Sequence, residues 1–510
     1  MSEHELHYGD SSLGLGEGGG QSEALQRSDV RGGDNEVSRV RAPGGRPPPT
    51  SQQDGLDWLN DPQNPMNWPR SKRYAQIIIV AFILLIANLT ATMFVPGSRQ
   101  LMVDFEFSDE TVATLPVSIF ILGLALGPLI FAPLSELYGR LPVYALTSAL
   151  FIAFLLGCAF APNLATFIVF RFLSGCAGAA SQALSGGTLA DVIPREQRGK
   201  WMAWIVLGPM LGPSIGPIAG GFVAQYLGWR WVFRILAIAS GVLLVPGVLL
   251  LRETSPKIIM RHRASRLAGA AEKTSAAVGK AEASRKIARA IVRPVRLLLF
   301  SPIVFFLSLY VAFSFGLMFL LFSSFSTVFQ GQYGFSTATS GLSYIGLGVG
   351  MFAGVLAQGV LSDKILKSRE RRNGRTKPED RLPLMAYMAP TLPVGMFWYG
   401  WSAAKHLHWI MPIIGGTFVG LGFVFIMMPV MVYLVDTFDS EASASALAAN
   451  TVLRSFAGAF LPLAAPRMYA TLGLGWGNSL LGFIAIAFVP IPWIFLVYGE
   501  RLRLSHPVNL

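Results

Sequence analysis

Two arginines, Arg171 and Arg454, stand where a bilayer-crossing sequence should hold no charge. Arg171 is about six residues into the apolar run 165–189, and Arg454 about eleven residues into the run 443–465. A lone guanidinium at such depth costs at least a few kcal/mol, so each needs either hydrogen-bond acceptors or a water-filled space. Backbone carbonyls and amides such as Asn450 and Gln182 could supply the first. An anion entering a cavity would exploit the second. Both readings stay open on the sequence. No carboxylate sits at mid-depth: the acids nearest the interior are Asp191 and Asp436, at the ends of the runs 165–189 and 408–435. The six histidines lie in tails, loops or at a run's edge, and where a carboxylate could stand within the run 75–96 the sequence offers Asn88 and Thr90 instead. A cationic, acid-free interior suits a carboxylate or phenolate guest and makes a polyamine a poor one. With no convergence of His, Asp or Cys, no catalytic residues, no metal site and no cofactor are assigned. An intramembrane enzyme is thereby disfavoured.

The elements that must position these residues are apolar runs of about 20 residues. Six lie near 75–96, 112–133, 141–161, 165–189, 201–224 and 231–251, and six near 303–329, 340–362, 383–402, 408–435, 443–465 and 478–498. The chain is 52% apolar and 14% charged over 510 residues, well below the charge content of soluble domains. The expected fold is an all-α polytopic membrane protein of twelve transmembrane helices in two six-helix halves. Its domains are a disordered polar tail with a pre-span segment (1–73), a first half (74–251), a basic linker (252–301), a second half (302–499) and a C-terminal tail (500–510). Of 41 Lys and Arg, 34 fall in the tails and in loops on the tails' side. That bias places both termini in the cytosol and explains the net charge of +12 without nucleic acid. Cys158 and Cys176, both within apolar runs, read as packing residues. Trp58, Trp68 and Tyr74 read as interfacial anchors.

Two further patterns carry mechanics. In Gly208-Pro-Met-Leu-Gly212-Pro213-Ser-Ile-Gly216-Pro217-Ile-Ala-Gly220 the glycines recur every four residues, forming one side-chain-free groove on a helix. Such a helix suits close packing and bending, and a place as hinge and seal between the halves. The loop after the second run reads Ala132-Pro-Leu-Ser-Glu136-Leu-Tyr-Gly139-Arg140, and the loop after the eighth reads Gly359-Val-Leu-Ser-Asp363-Lys-Ile-Leu-Lys367. Each sets a small residue, an acid four residues on, and a base four residues further, a device for capping a helix or for pairing across a closing interface.

With these motifs the chain resembles the major facilitator superfamily, most of all its fungal twelve-span drug:proton antiporter branch. The resemblance rests on Asp61-Pro-Gln-Asn-Pro-Met-Asn-Trp68 before the first span, the Ala132–Arg140 loop and Arg171-Phe-Leu-Ser-Gly175. The glycine groove resembles the branch's antiporter motif, and Tyr433-Leu-Val-Asp436 with Ala449-Asn450-Thr-Val-Leu-Arg454 completes the set. It departs from the family pattern at Glu136, where Asp is usual, at Leu141, where a second base is usual, and at Leu366-Lys367 in the second copy. The resemblance implies two halves rocking about a central cavity. In that cavity Arg171, Arg454, Asn450, Gln182 and Asn88 are the candidate contacts. Glu136, Gly139, Arg140, Asp191, Asp363 and Asp436 are the candidate gating and coupling residues. It further implies export of small organic compounds (toxin, drug or secondary metabolite) by proton antiport, with organic-acid exchange as the alternative. The expected partners are a small-molecule substrate, protons and the lipid bilayer, with no nucleic acid, and the working unit expected is a monomer. The expected location is the plasma membrane, with the vacuolar membrane as the alternative. A non-transporting receptor would show binding without flux.

Overall fold

The computed structural model describes residues 58, 60–194, 197–267, 292–374, 377–438 and 440–505. The N-terminal tail before Trp58, the middle of the linker and residues 506–510 lie outside the described residues, as do the domain expectations that fall there. The described residues form helices and short 3-10 turns, with no strand among them. The first group is α1 (Arg70–Thr92), α2 (Glu110–Tyr138), α3 (Arg140–Ala159), α4 (Leu164–Val192), α5 (Arg198–Leu227) and α6 (Trp229–Leu250). The second begins with α7 (Pro302–Gln332), α8 (Ile345–Asn373), α9 (Thr391–Ala404) and α10 (Ile410–Thr437). The helix Ser440–Phe488 breaks at Gly473 (φ 69°, ψ 172°) into α11 (440–472) and α12 (474–488), which the helix Pro490–Ser505 prolongs.

Ten helical stretches in the described residues are long and apolar enough to cross a membrane. They cover eleven of the twelve expected runs. The eleventh and twelfth are joined through Gly473. The ninth falls short because it is split into Pro383–Met388 and α9, on either side of Pro390. Glycine makes the tightest connections possible. Gly139 (φ 102°), Gly228 (φ 91°) and Gly473 each turn one helix straight into the next in a backbone region that side chains disfavour. Longer connections start new helices with side-chain caps: Asp109 accepts from Thr111 N at 2.7 Å, and Asn163 from Thr166 N at 2.9 Å.

Helices within each group pack mainly on one another: α1 on α5, α2 on α4 and α3 on α4 and α6 in the first, α7 on α11 and α8 and α9 on α10 in the second. Two pairings join the groups, α2 with α11 and α5 with α8 and the short helix Thr337–Leu342 before it. Small residues explain the close approach. A Cβ on Gly175 or Gly127 would strike backbone of the facing helix, and a Cβ on Gly316 would lie 3.0 Å from the carbonyl of Ala457.

The glycine groove corrects one expectation. Its face seats α1: side chains at Gly208, Gly212, Gly216 and Gly220 would run into Leu85, Asn88, Thr92 and the carbonyl of Met93 in turn. Thr92 also donates from Oγ1 to Pro213 O at 2.9 Å, an acceptor left free because a proline interrupts the ladder nearby. The groove therefore packs inside one half. A different stripe of the same helix, Ser214, Pro217 and Gly221, meets Gly341 and Gly348 of the other half. The spacing was legible; the azimuth, which decides the partner, was not.

Candidate functional site

Where the two groups face each other, a small cavity is lined by α1, α2, α4 and α5 on one side and α7, α8, α10 and α11 on the other. Its walls are sulfur and aromatic: Met210, Met318, Met351 and Met427 with Phe315, Phe319, Phe322 and Phe423. Its polar points are few: Asn88, Gln182, Arg454 and Ser455. An apolar lining with sparse polar groups is what an adaptable small-molecule pocket needs. Of the aromatic and methionine residues that the sequence offers in this region, Phe305, Phe306 and Trp398 are instead exposed on the outer surface, and Tyr310 and Tyr344 are packed in the core.

Arg454 reaches this cavity nearly alone. It is 4% exposed, its guanidinium lies 5.2 Å from the centroid of Phe315, and Nη1 is 3.8 Å from Met427 Sδ. Its Nε has no hydrogen-bond partner among the described residues. One turn earlier on α11, Asn450 is fully buried with both side-chain polar atoms unpartnered among the described residues, though it does not line the cavity. A buried cation and amide so placed are under-satisfied donors awaiting an acceptor.

Arg171 is a correction to the expected cavity set. It is 0% exposed, and its fork donates to Pro116 O at 3.0 Å, Thr90 O at 3.0 Å and Ala91 O at 3.4 Å, while Phe120 lies 4.5 Å beneath it. Thr90 and Ala91 sit in the last turn of α1, whose carbonyls have no helical donors left. Arg171 thus caps α1 and complements the negative end of its dipole while clamping α1 and α2 to α4. It does not line the central cavity. At the other end of α4, Asp191 takes Arg140 Nε at 2.6 Å.

That pair belongs to a network the sequence only half disclosed. Arg140 passes over Gly187, where any side chain would block it. Glu253, just past α6, accepts the N–H groups of Arg140 (3.0 Å), Leu141 (3.1 Å) and Ser255 (2.9 Å), capping α3. A side chain at Gly139 would collide with the Glu253 carboxylate. In the second half Arg381 Nε pairs with Asp436 at 3.1 Å, again joining the start of one membrane segment to the end of the next. The structural counterpart of Arg140 is thus Arg381, not Lys367, which is carried on an extension of α8 to Asn373. Lys, Arg and Glu keep that helix going until Gly374 (φ 67°) stops it. Glu136 and Asp363 are exposed and have no ion-pair partner among the described residues.

The halves touch at the face remote from the termini. There Ala338 N donates to Gln225 Oε1 at 2.8 Å and Gln330 Nε2 to Pro96 O at 3.2 Å. At the terminus face each ion pair of the network stays within its own half. A second space lies toward the remote face, between the segment 94–102 that follows α1, α2, α7, α11 and the start of α12. It is lined by Arg99, Glu110, Thr114, Ser324 and Tyr469 among others, and Phe322 and Ser323 mark the change from one space to the other.

Two helical bundles that meet around a central cavity, each with its own charged clasp at the terminus face, are the architecture of a membrane carrier. The Major Facilitator Superfamily pattern matches residues 78–462, and the chain belongs to that family. It is 50% identical over 454 residues to the MFS-type transporter MFS19 of Alternaria alternata, covering 88% of this chain and 93% of that one. It is 47% identical to the trichosetin biosynthesis cluster MFS transporter of Gibberella fujikuroi, covering 89% and 90%. Among solved structures, the partially occluded inward-open xylose transporter XylE of E. coli superposes with a TM-score of 0.65 at 17% identity, over 83% of this chain and 98% of that one, a likeness of fold. The chain is a membrane transporter and not an enzyme.

Proposed function

We propose that the chain exports a small organic compound, a secondary metabolite or toxin bearing an acidic group, as a drug:proton antiporter working by alternating access in the plasma membrane with both termini cytosolic. The observation that carries the reading is Arg454, a buried cation facing the central cavity whose Nε has no partner among the described residues. A carboxylate or phenolate entering there gains a charge-assisted bond in a low-dielectric site, and the methionine and phenyl walls accept its apolar body. A relative named for a metabolite's biosynthetic cluster supports export of such a product. Gln182, Asn88 and, through Arg454, Asn450 complete the recognition set.

Proton coupling is assigned to Asp191, which takes Arg140 at the terminus-side end of α4. Protonation frees Arg140 and loosens the clasp that holds α3 to α4. In proteoliposomes challenged with a metabolite panel, an imposed pH gradient should accelerate flux of acidic members. Asp191→Asn should abolish that acceleration while leaving substrate binding intact; undiminished gradient-driven flux would overturn the assignment. Exchange of organic acids is the second reading, favoured by the same Arg454, and it predicts flux driven by a counter-gradient of acid without any pH gradient.

A further inference from the structure

The Asp61–Trp68 motif plays no part in the cavity, and its fold suggests a separate purpose. It is tied by its own side chains. Asp61 Oδ1 accepts Gln63 N at 2.7 Å, Asn64 Oδ1 accepts Met66 N at 3.1 Å, and Asn64 Nδ2 donates to Trp58 O at 3.1 Å. Asp61 Oδ2 pairs with Arg263 on the linker helix Pro256–Leu267. Between the knot and the linker helix lies an open basin on the terminus face, lined by Trp68, Lys72, Arg252, Glu253, His262 and Arg263 among others. Its acids are already committed: Glu253 to the three N–H groups at α3 and Ser255, Asp61 to Arg263. The side chains of Lys72 and Arg252 have no ion-pair or hydrogen-bond partner among the described residues, while the Arg252 backbone N–H donates to Gln76 Oε1 at 3.2 Å. The basin is therefore left with unpaired positive charge.

A second feature begins where the basin ends. A shallow apolar groove between α1, α3 and α6 is walled by Ile83, Tyr144, Phe151, Leu243, Val248 and Leu251 and others. It runs along α6 from Ser240 to Leu251, eleven residues or roughly 16 Å. That is about half of a 30 Å hydrocarbon core, the depth of one leaflet. Leu251 closes the groove and the next residue, Arg252, lines the basin; Leu141 lines the groove while its N–H is held by Glu253 of the basin.

We infer that this combined site holds an anionic phospholipid of the leaflet on the terminus side, its phosphate against Lys72 and Arg252 and one acyl chain in the groove. Charge selects the class: two unpaired cations favour a net-negative headgroup over a zwitterionic one. The linker helix, with Met260 42% exposed beside Arg261 and Arg263, has the make-up of a helix lying in the interface, where such a headgroup is found.

The test is native mass spectrometry of the full-length protein in detergent, titrated with phosphatidylserine, phosphatidylcholine and, as the soluble arm, inorganic phosphate. One phosphatidylserine should be retained in preference to phosphatidylcholine. The double substitution Lys72→Gln with Arg252→Gln should weaken it roughly 30-fold, and Lys72→Arg with Arg252→Lys should restore it. Val248→Trp, which fills the groove, should weaken long-chain but not short-chain phosphatidylserine. Both basin residues are exposed, so an unchanged melting temperature establishes that the variants fold. Equal retention of phosphatidylcholine, indifference to the double substitution, or displacement of the lipid by inorganic phosphate would overturn the proposal.

Discussion

Arg171 and Arg454 share a side chain, and their surroundings give them separate tasks. Arg171 is ringed by three carbonyls and two phenyl rings. Removing its fork leaves buried acceptors unmet, a loss in the range of about 3–5 kcal/mol for a broken buried charge network. Arg171→Gln should lower the melting temperature in detergent markedly, and Arg171→Lys nearly as much, because an ammonium cannot bridge α1 and α2 at once. Arg454 has a sulfur and a ring for company and an open cavity in front of it. Arg454→Gln should leave the melting temperature nearly unchanged and weaken binding of acidic substrates about 10- to 100-fold, the worth of one charge-assisted hydrogen bond. Neutral analogues should be affected little. A matched loss for charged and neutral compounds in equilibrium binding would remove Arg454 from recognition.

At the scale of the element, α5 shows how small residues set partnership. A methyl group at Gly220 would overlap the carbonyl of Met93, whereas one at Gly359 on α8 meets nothing within 4 Å. Gly220→Ala should therefore destabilise the protein by about 1–3 kcal/mol through overpacking, read as a lower midpoint in thermal denaturation. Gly359→Ala should leave the midpoint level or slightly raised. Because the groove face holds α1 rather than the opposite half, Gly220→Ala acts on the integrity of the first bundle. Substrate access to the cavity in whatever fraction stays folded should be unaltered.

At the scale of the whole molecule, the contacts that join the halves at the remote face predict what immobilising that end does. Gln225→Cys with Ala338→Cys places two thiols where Gln225 now receives Ala338 N–H. Oxidation should arrest transport and reductant restore it. A thiol introduced at Gln182→Cys should stay reactive from the terminus face throughout, as judged by labelling with a membrane-impermeant maleimide in oriented vesicles. Flux that persists after complete cross-linking would refute separation of the halves at that face as an obligatory step.

Much of this organisation is legible in the sequence because the bilayer leaves few alternatives. A backbone that cannot bond to lipid must form helices, so the apolar runs mark out the helices and the basic residues their sidedness. Four-residue glycine spacing declares a groove, and the lack of mid-depth acids at Asn88 and Thr90 declares a cationic interior. What required the tertiary structure is direction around each helix axis and contact between distant turns. Periodicity says that Gly208 to Gly220 share a face, but only packing puts α1 on it. Depth along the chain makes Arg171 and Arg454 look alike, and only the neighbours, three carbonyls for one and an empty cavity for the other, tell a clamp from a receptor of charge. Glu253 and Arg381 escaped notice for the same reason, since each reaches its partner across more than fifty residues of chain. Local sequence carries hydrophobic period and helix-end chemistry; partners are decided by the fold, where a difference of one helical turn changes which groups meet.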